Sequence, residues 1–407
     1  MTVGVEEAGN KMNAPVGDVV IVGAGVSGTR LAQSLRRGGH RGAITLLSAE
    51  AHAPYDRPPL SKDLLKGDKT LADITLATAD QLQDAGIDLR LSTRVSAIDR
   101  EAREAVLADG ARLAYETLVI ATGVRPLQLP AAQKSRRVHM LSTIDDCRRL
   151  REELLGARHI AMVGAGFIGS EIAATARQMG REVTLIGGTE YPLTRVAGPW
   201  VGARIAALHA RHGVNVRMHA VAAEFIDHDN GVTLRFIDGS EMDADLVVMG
   251  VGSVPVTDWL ESSGLEIEGG VIVDETGRTG DPSIWAVGDV ARHRHPDGTS
   301  VRHQHWTSAT EQADALARRF TGRPPSPLPQ VDYVWSDLYG ARLQVFGSIP
   351  PHAEPQVLID EPDRFLVAYS REGRLAAMLG MGVAGKFMRF RGPVALGQQL
   401  ESVLAHV

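Results

Sequence analysis

Two sets of three glycines with the same spacing are the residues of this sequence most suited to chemistry. The glycines are Gly23, Gly25 and Gly28 in the first set and Gly164, Gly166 and Gly169 in the second. The first glycine of such a set permits a tight turn, the second lets the backbone approach a pyrophosphate, and the third lets a helix pack closely on a strand. The N–H groups of the first helical turn then face the anion. The sequence therefore predicts two dinucleotide sites, with Val26 and Ser27 contributing to the first and Phe167 and Ile168 to the second.

The residues after the second strand of each set bear on the choice of dinucleotide. Glu50 follows the apolar run ITLLSA, where a carboxylate can accept hydrogen bonds from ribose hydroxyls. In the second set, Gly187 and Gly188 stand where an acid would select the 2′-hydroxyl of NAD, and no Lys or Arg stands there for a 2′-phosphate. Glu190 and Arg195 lie a little further on. We expect NADH as the favoured nicotinamide, and NADPH stays open.

Two further glycine-containing turns end apolar runs. The run LVIATG ends in Ala121, Thr122 and Gly123, where the backbone can approach a ligand closely. The run IWAVGD ends in Gly288 and Asp289. An aspartate in that place can bind a sugar-alcohol chain such as the ribityl arm of a flavin, or it can cap a following helix. The residues alone do not decide between these two roles.

The elements that carry these turns alternate between apolar strands and segments of helical period. Such alternation predicts parallel sheets covered by helices on both faces. We expect helices over residues 26–38 and 308–320, and one ending at Met179 after the second glycine set. The proline-rich stretch 323–330 predicts a domain boundary. Beyond it the pattern predicts several strands and then one C-terminal helix.

Composition narrows the classes of function. The 407 residues are 44% hydrophobic and 23% charged, which suits a globular protein of two or three domains. The net charge is −6 without a long basic run, so we expect no nucleic-acid partner. No segment approaches the ~18 apolar residues of a membrane span. Residues 1–15 predict a disordered tail without the features of a signal peptide, and we expect a cytoplasmic protein.

Cysteine and histidine residues predict neither a thiol centre nor a metal site. The only cysteine, Cys147, cannot form an internal disulfide or a dithiol redox centre, and we expect a packed or partly exposed thiol in a helix. Four histidines lie in a polar stretch without acids or thiols at metal-ligand spacing, which favours hydrogen-bonded loop residues. They are His293, His295, His303 and His305.

Several motifs together resemble one family. They are VGAGVSG, PYDRPPLSK (residues 54–62), LVIATGVRP, VGAGFIGSEIAA, VVMGVGSVP, WAVGD and the QHW of residues 304–306. The chain resembles the FAD-dependent pyridine nucleotide:ferredoxin reductases of bacterial oxygenase and cytochrome P450 systems, of the putidaredoxin reductase and biphenyl dioxygenase reductase type. PYDRPPLSK is the most specific of these motifs, and together they run from residue 18 to the C-terminal region.

The resemblance implies an α/β, glutathione-reductase-like fold. It would contain two Rossmann-type dinucleotide-binding domains and, in addition, a C-terminal α/β interface domain. The FAD-binding domain would be discontinuous, over residues 16–125 and 253–325. The NAD(P)H-binding domain would cover 126–252 and the interface domain 326–407.

The resemblance also implies roles for individual residues. Lys62 would lie beside the flavin, paired with Glu171, and its ammonium would favour the negatively charged reduced cofactor. Trp306 would lie against the flavin edge, and these three are the implied catalytic residues. The implied FAD-binding residues are Gly23, Gly25, Val26, Ser27, Gly28, Glu50, Arg57, Lys62, Val95, Ala121, Thr122, Gly123, Arg125, Gly288, Asp289 and Trp306. The implied NAD(P)H-binding residues are Gly164, Gly166, Phe167, Ile168, Gly169, Glu171, Gly187, Glu190, Arg195 and Gly252.

The implied activity is the transfer of a hydride from NAD(P)H to FAD, followed by single-electron delivery to a 2Fe-2S ferredoxin that feeds an oxygenase or a cytochrome P450. Four arginines are candidates for docking an acidic ferredoxin, or else for a solubilising surface. They are Arg302, Arg342, Arg389 and Arg391. A rubredoxin reductase and an NADH-binding flavoprotein similar to apoptosis-inducing factor stay as alternatives, and a monomer or a homodimer is expected. A thiol-based disulfide reductase is excluded because no cysteine lies where the flavin would need one.

Overall fold

The computed structural model describes residues 16–325 and 331–405. The tail predicted for residues 1–15 lies outside the described residues, as do residues 326–330 of the proline-rich stretch. The described chain forms two compact units. Unit 1 consists of residues 16–56, 75–125 and 254–325, and unit 2 of residues 57–74, 126–253 and 331–405.

Strands and helices alternate through most of the described chain. The strands are β1 (Val19–Val22), β2 (Ile44–Leu47), β3 (Ile87–Arg90), β4 (Val95–Asp99), β5 (Glu104–Leu107), β6 (Arg112–Ala114), β7 (Thr117–Ile120), β8 (Val124–Pro126), β9 (Val138–His139), β10 (His159–Val163), β11 (Glu182–Ile186), β12 (Asn215–Arg217), β13 (Ala222–His228), β14 (Gly231–Phe236), β15 (Glu241–Ala244), β16 (Leu246–Met249), β17 (Ser253–Pro255), β18 (Val271–Val273), β19 (Ile284–Ala286), β20 (Ala291–Arg294), β21 (Ser300–Val301), β22 (Tyr333–Leu338), β23 (Ala341–Gly347), β24 (Gln356–Glu361), β25 (Arg364–Arg371) and β26 (Arg374–Met381). The α-helices are α1 (Val26–Arg37), α2 (Asp63–Lys66), α3 (Leu71–Ile74), α4 (Ala79–Asp84), α5 (Ile144–Gly156), α6 (Phe167–Gln178), α7 (Thr194–Arg211), α8 (Trp306–Phe320), α9 (Ala384–Phe387), α10 (Arg391–Ala395) and α11 (Leu400–Leu404). Short 3-10 turns cover Pro58–Ser61, Pro130–Ala132, Asp258–Ser263, Gly288–Val290 and Met388–Phe390.

The centre of unit 1 is a parallel sheet of five strands in the order β19-β7-β1-β2-β3. All residues of β1, β2 and β7 are buried, as expected for strands covered on both faces. On one face, Leu31 and Leu35 of α1 pack with Leu316 and Phe320 of α8 in one apolar cluster. Burying each of these side chains contributes about 1.5–3 kcal/mol, so this cluster fixes α1 against the sheet. The glycine turn between β1 and α1 is thereby held at the carboxyl end of the central strand.

Unit 2 repeats this architecture. Its parallel sheet has the order β12-β11-β10-β16-β9, so the strand before the second glycine turn is again central. Helix α6 follows that turn, and eight consecutive residues from Gly169 to Ala176 are buried. A central strand that leads through a glycine turn into a helix is the arrangement of dinucleotide-binding α/β folds.

The C-terminal part of unit 2 is an antiparallel sheet in the order β22-β23-β26-β25-β24. Its inner face packs on α7, where Val201 and Ile205 share one apolar cluster with Leu343 and Val367 of the sheet. Three short α-helices, α9 to α11, follow β26. The single C-terminal helix expected from the sequence is therefore wrong. Gly397, with a φ of +55°, lies between α10 and α11 and separates these two helices, because a left-handed backbone cannot continue a right-handed helix.

Two predicted helices are present with boundaries close to the expected ones. Helix α1 ends at Arg37 with Gly38 as its C-cap, and α6 ends at Gln178 with Met179 as its C-cap. Helix α8 begins two residues before the predicted start, so Trp306 is its first residue. None of the helices in the described ranges is both long and apolar enough to cross a membrane.

Candidate active site: two glycine cradles and a buried lysine–glutamate pair

The first glycine turn, between β1 and α1, is shaped so closely that only glycine fits at two of its three positions. Gly23 has a φ of +111°, and a Cβ added there would lie 2.3 Å from the carbonyl oxygen of Ala121. A Cβ on Gly28 would lie 1.9 Å from the carbonyl oxygen of Gly23. At Gly25, by contrast, an added Cβ meets no described atom within 4 Å. The open side of the turn is therefore at Gly25, where a pyrophosphate would approach.

The second turn, between β10 and α6, has the same geometry. Gly164 has a φ of +110°, with 2.2 Å from an added Cβ to the carbonyl oxygen of Gly250. A Cβ on Gly169 would lie 1.8 Å from the carbonyl oxygen of Gly164, and one on Gly166 meets no described atom within 4 Å. We call these two turns, residues 23–28 and 164–169, the first and second cradles.

The helix that starts at each cradle leaves its first N–H groups for a ligand. No side chain of the described residues caps the N-terminus of α1 at Gly25 or of α6 at Gly166. Two other helices do have side-chain caps, from Thr78 on α4 and from Thr143 on α5. Because uncapped N–H groups and the helix dipole both favour an anion, the cradles fit the pyrophosphates of FAD and of a nicotinamide dinucleotide.

Around the first cradle, several side chains are already fixed. Tyr55 donates a hydrogen bond of 2.5 Å to the Glu50 carboxylate at the end of β2. A Cβ on Gly288, which has a φ of +77°, would lie 2.6 Å from Ser27 Oγ. The Gly288 N–H donates to Gln312 Oε1 at 2.8 Å. The sequence reasoning missed Tyr55, although it lies inside the PYDRPPLSK motif, and Gln312, for which the sequence gives no signal.

Three other residues predicted for FAD each have a partner within unit 1. Thr122 donates to the carbonyl oxygen of Val256 at 2.9 Å, and Arg125 pairs with Asp258 at 2.8 Å. The Trp306 indole N–H, at the start of α8, donates to Asp56 Oδ1 at 2.7 Å. Their contacts to a cofactor stay predictions.

Three more of the predicted FAD residues lie on other elements. Val95 is buried as the first residue of β4, and Ala121 is buried beyond the end of β7. Arg57 is an exposed residue of unit 2, and it donates to the carbonyl oxygen of Ser142. Lys62 also belongs to unit 2, whereas the remaining residues predicted for FAD belong to unit 1.

Around the second cradle, the end of β11 carries no fixed carboxylate. A Cβ on Gly187 would lie 2.6 Å from Met218 Cε and 3.0 Å from Ala165 Cβ, and one on Gly188 would lie 3.3 Å from Val221 Cγ2. Met218 therefore fills the space beside Gly187, a contact that the sequence reasoning missed.

The charged residues near the second cradle lie outside that space or are held elsewhere. Glu190 and Arg195 are exposed. Gly252, which is also predicted for the NAD(P)H site, has a φ of +130°, in the region that favours glycine. The Arg217 guanidinium lies 3.7 Å from the Phe236 ring centroid and donates to Ser240, so its charge is held within unit 2. Arg217 is thus not placed as a free cation for a 2′-phosphate.

Lys62 and Glu171 form a nearly buried ion pair in unit 2, with 3.0 Å between Lys62 Nζ and Glu171 Oε1. Ser61 Oγ donates to Glu171 Oε2 at 2.5 Å, and Ser336 Oγ donates to Oε1 at 2.8 Å. Burial raises the pKa of the Glu171 carboxyl, while the Lys62 ammonium and the two hydroxyls oppose that rise. The predicted pairing is present, and Glu171 is not a surface acid.

The single thiol is buried in an environment that favours its protonated form. Cys147 is buried in α5, and its Sγ donates to the carbonyl oxygen of Leu60 at 3.3 Å. Burial raises the pKa of this thiol to about 11. Burial also lowers the pKa of His293, which favours its neutral form. Within the described part of the chain, no group of three or more His, Cys, Asp or Glu residues could hold a metal ion.

Two of the four arginines proposed for docking have hydrogen-bonding partners in the structure. Arg302 donates to the carbonyl oxygen of Asp289 at 3.0 Å, and burial lowers its pKa. Arg342 pairs with Asp337 at 2.7 Å. Arg389 lies over the Phe390 ring at 4.9 Å and is exposed, whereas Arg391 is only partly exposed. Arg342 and Arg389 are therefore the two exposed members of this set.

The described residues form two dinucleotide cradles, one on each of two parallel sheets, together with a buried lysine–glutamate pair and a buried thiol. These features define an oxidoreductase that uses a flavin and a nicotinamide dinucleotide. The chain belongs to the pyridine nucleotide-disulphide oxidoreductase family, whose pattern matches residues 17–313, and residues 333–405 match the reductase C-terminal family. It is 36% identical over 337 residues to the ferredoxin–NAD(+) reductase component of the p-cumate 2,3-dioxygenase system of Pseudomonas putida, covering 83% of this chain and 82% of that one.

A second curated relative and a solved structure agree with this assignment. Putidaredoxin reductase of Pseudomonas putida is 35% identical over 338 residues, covering 81% of this chain and 80% of that one. A crystal structure of the covalent putidaredoxin reductase–putidaredoxin complex matches with a TM-score of 0.91 at 32% identity, over 96% of each chain. The predicted family and fold class are confirmed.

Proposed function

We propose that this chain is an NAD(P)H:ferredoxin reductase that carries FAD in the first cradle and receives a nicotinamide dinucleotide at the second. The observation that carries this function is the pair of matching cradles with different surroundings, together with relatives named as ferredoxin reductases. When bound, FAD accepts a hydride from a nicotinamide and passes the two electrons on singly. The 2Fe-2S ferredoxin partner and the reaction class predicted from the sequence agree with those relatives.

The residues of the chain would bind and orient the cofactors. The N–H groups of α1 and α6 would hold the two pyrophosphates, and Glu50 would accept hydrogen bonds from a ribose. Lys62 would place a positive charge beside the flavin, held by Glu171. Trp306 would lie against the flavin edge. These roles rest on the resemblance and on the local geometry given above.

We propose NADH as the favoured donor. Neither Gly187 nor Gly188 provides the carboxylate that usually selects the 2′-hydroxyl of NAD, so the proposal depends on how the nearby cations are held. Arg217, on the neighbouring strand β12, is held by Phe236 and Ser240, so its charge is not available for a 2′-phosphate. Comparing kcat/KM for NADH and NADPH tests this preference, and a higher value for NADPH would contradict it.

The electron acceptor separates the main function from its alternatives. With NADH and cytochrome c, we expect reduction that depends on added 2Fe-2S ferredoxin. Equal dependence on rubredoxin would favour the rubredoxin reductase alternative. Slow turnover with both carriers, with NADH-dependent dimerisation, would favour a protein similar to apoptosis-inducing factor.

We further propose the three-domain division predicted from the sequence and a cytoplasmic location. Three separate five-stranded sheets support the division, with strands in residues 19–120 and 284–286, in 138–249 and in 333–381. The lone buried thiol is compatible with a reducing compartment. Limited proteolysis and cell fractionation test these two points, and sedimentation of the purified protein tests the monomer against the homodimer.

A further inference from the structure

Lys62 has a second carboxylate partner that the sequence did not suggest. Asp337 Oδ2, on β22, lies 3.3 Å from Lys62 Nζ, and Glu171 Oε1 lies 3.0 Å from the same nitrogen. The Lys62 side chain is only 14% exposed, so these contacts are not those of a loose surface pair. Two carboxylates on separate elements therefore each contact the Lys62 ammonium group, and together they fix the directions of two of its N–H bonds.

Asp337 is itself held in place. Arg342 Nε donates to Asp337 Oδ1 at 2.7 Å, and Arg342 Nη2 donates to Oδ2 at 3.2 Å. The two residues lie directly opposite each other in the antiparallel register of β22 and β23. Such cross-strand pairs with a two-pronged arginine contact are geometrically specific. Partial burial opposes ionisation, but Arg342 and Lys62 hold the pKa of Asp337 below its usual value, so its charge is present at neutral pH.

Glu171 alone would not fix the direction of the ammonium. Its Oε1 accepts from both Lys62 and Ser336, and its Oε2 accepts from Ser61, so its own position is set by hydroxyls on either side. One carboxylate defines a single direction for a flexible four-carbon side chain. A second carboxylate fixes the plane that contains the two contacts of the ammonium group. Within the described residues, one of the three ammonium N–H groups is then left for a ligand.

We propose that Asp337 is a positioning residue for Lys62, held by Arg342, so that the β22–β23 hairpin sets the direction in which the Lys62 ammonium presents its remaining N–H. This inference rests on the proposed function, in which Lys62 acts beside the bound flavin. It assigns to the C-terminal sheet a role in tuning the cofactor as well as in packing.

The test is a double-mutant cycle on the FAD-loaded full chain. Asp337→Ala removes the second tether, and Lys62→Met removes the group that it orients. We expect Asp337→Ala to slow NADH-dependent flavin reduction by about tenfold, since small misplacements of a positioned group have effects of this order or larger. In the Lys62→Met background the same substitution should change the rate by less than about twofold, because coupled residues are not additive.

The flavin midpoint potential supplies a readout that a merely structural role would not move. Asp337→Ala should lower this potential, because the displaced ammonium stabilises the reduced cofactor less. A rise in the potential would mean that Asp337 acts through its own negative charge, and would overturn the proposal. An effect of equal size with and without Lys62 would overturn it as well.

Controls separate positioning from general damage. Asp360→Asn removes the pair between Asp360, on β24 of the same sheet, and Arg204 on α7, and should leave both the rate and the potential unchanged. Asp337→Asn keeps an acceptor for Lys62 and should be milder than Asp337→Ala. If the wild-type chain binds no FAD or is not reduced by NADH, the proposed function fails; if only the variants behave otherwise than expected, this inference fails alone.

Discussion

The two cradles share their glycine geometry and differ in what surrounds it. Ser27, in the first turn, is 5% exposed and touches the Gly288 segment, whereas the equivalent residue of the second turn, Ile168, is 52% exposed. Glu50 at the first cradle is held by Tyr55, while the second has Gly187 and Gly188 in the corresponding region. These differences agree with the proposal that the first cradle retains FAD and that a nicotinamide dinucleotide enters and leaves the second.

The glycines therefore define only how the backbone receives a pyrophosphate. The choice of dinucleotide and the strength with which it is held depend on residues that follow the second strand and on segments from elsewhere in the chain. Five predictions test this difference and the residues around it, and they begin with the cradle change expected to alter cofactor binding most.

The largest effect is expected from Gly25→Val. A side chain there meets no described protein atom within 4 Å of its Cβ, so the fold should survive while the pyrophosphate is blocked. We expect FAD to be lost, with affinity reduced by at least about a hundredfold, a cost of about 3 kcal/mol typical of forced overpacking. Visible absorbance of the purified variant measures the loss, with circular dichroism as the control for folding. A variant that keeps its full FAD content would show that the first cradle does not hold the flavin.

Gly166→Val is the matched change in the second cradle. The same absence of neighbouring atoms predicts an intact fold and an unchanged FAD content. We expect KM for NADH to rise by at least about tenfold, which corresponds to about 1.4 kcal/mol. Steady-state kinetics with ferredoxin measure this change. Loss of FAD from this variant, with NADH binding unchanged, would reverse the assignment of the cradles.

Lys62→Met should make stability depend on pH through Glu171. Burial raises the pKa of this carboxyl, and the variant lacks the ammonium that opposes the rise. The folded state then binds more protons than the unfolded state above the ordinary glutamate pKa of about 4.3, so stability falls as pH rises. We expect a loss of about 2–4 kcal/mol relative to wild type at pH 7, and less at pH 5.

Denaturant unfolding at several pH values measures this dependence. The double variant Lys62→Met/Glu171→Gln serves as the control, because it removes the buried acid, and its stability should vary little over the same range. A Lys62→Met variant as stable as wild type at pH 7 would contradict the account of the pair.

Gly187→Glu should increase the preference for NADH over NADPH, by about tenfold in the ratio of kcat/KM values, since an acid there accepts from the 2′-hydroxyl and repels a 2′-phosphate. Because Met218 Cε lies 2.6 Å from the added Cβ, the change is best combined with Met218→Ala. Met218→Ala alone is the control. An unchanged ratio in the double variant would show that the end of β11 does not contact the adenosine ribose.

The smallest effect is expected from Cys147→Ala. The thiol is buried and its pKa is about 11, so no thiolate is present to take part in turnover. We expect unchanged kcat and a loss of about 1 kcal/mol of stability from the missing sulfur. Turnover assays and thermal unfolding measure the two quantities. A large fall in kcat would support a thiol-based mechanism instead.

Much of the fold follows from local sequence patterns, while the site depends on contacts between distant segments. The buried strands and glycine turns were predictable, because apolar runs and glycine spacing act within about thirty residues, as in a βαβ unit. The Lys62–Glu171 pair came only from the family resemblance. Asp337 and Met218 were missed because tertiary packing alone brings them to Lys62 and Gly187.

The proposal that one cradle holds FAD and the other receives NADH is tested by the visible spectrum of the purified chain during an anaerobic NADH titration. We predict a yellow protein with about one FAD per chain, bleached by about one equivalent of NADH, because one cradle retains the flavin and the other receives the donor. A correctly folded, colourless chain that takes up no FAD would contradict the account.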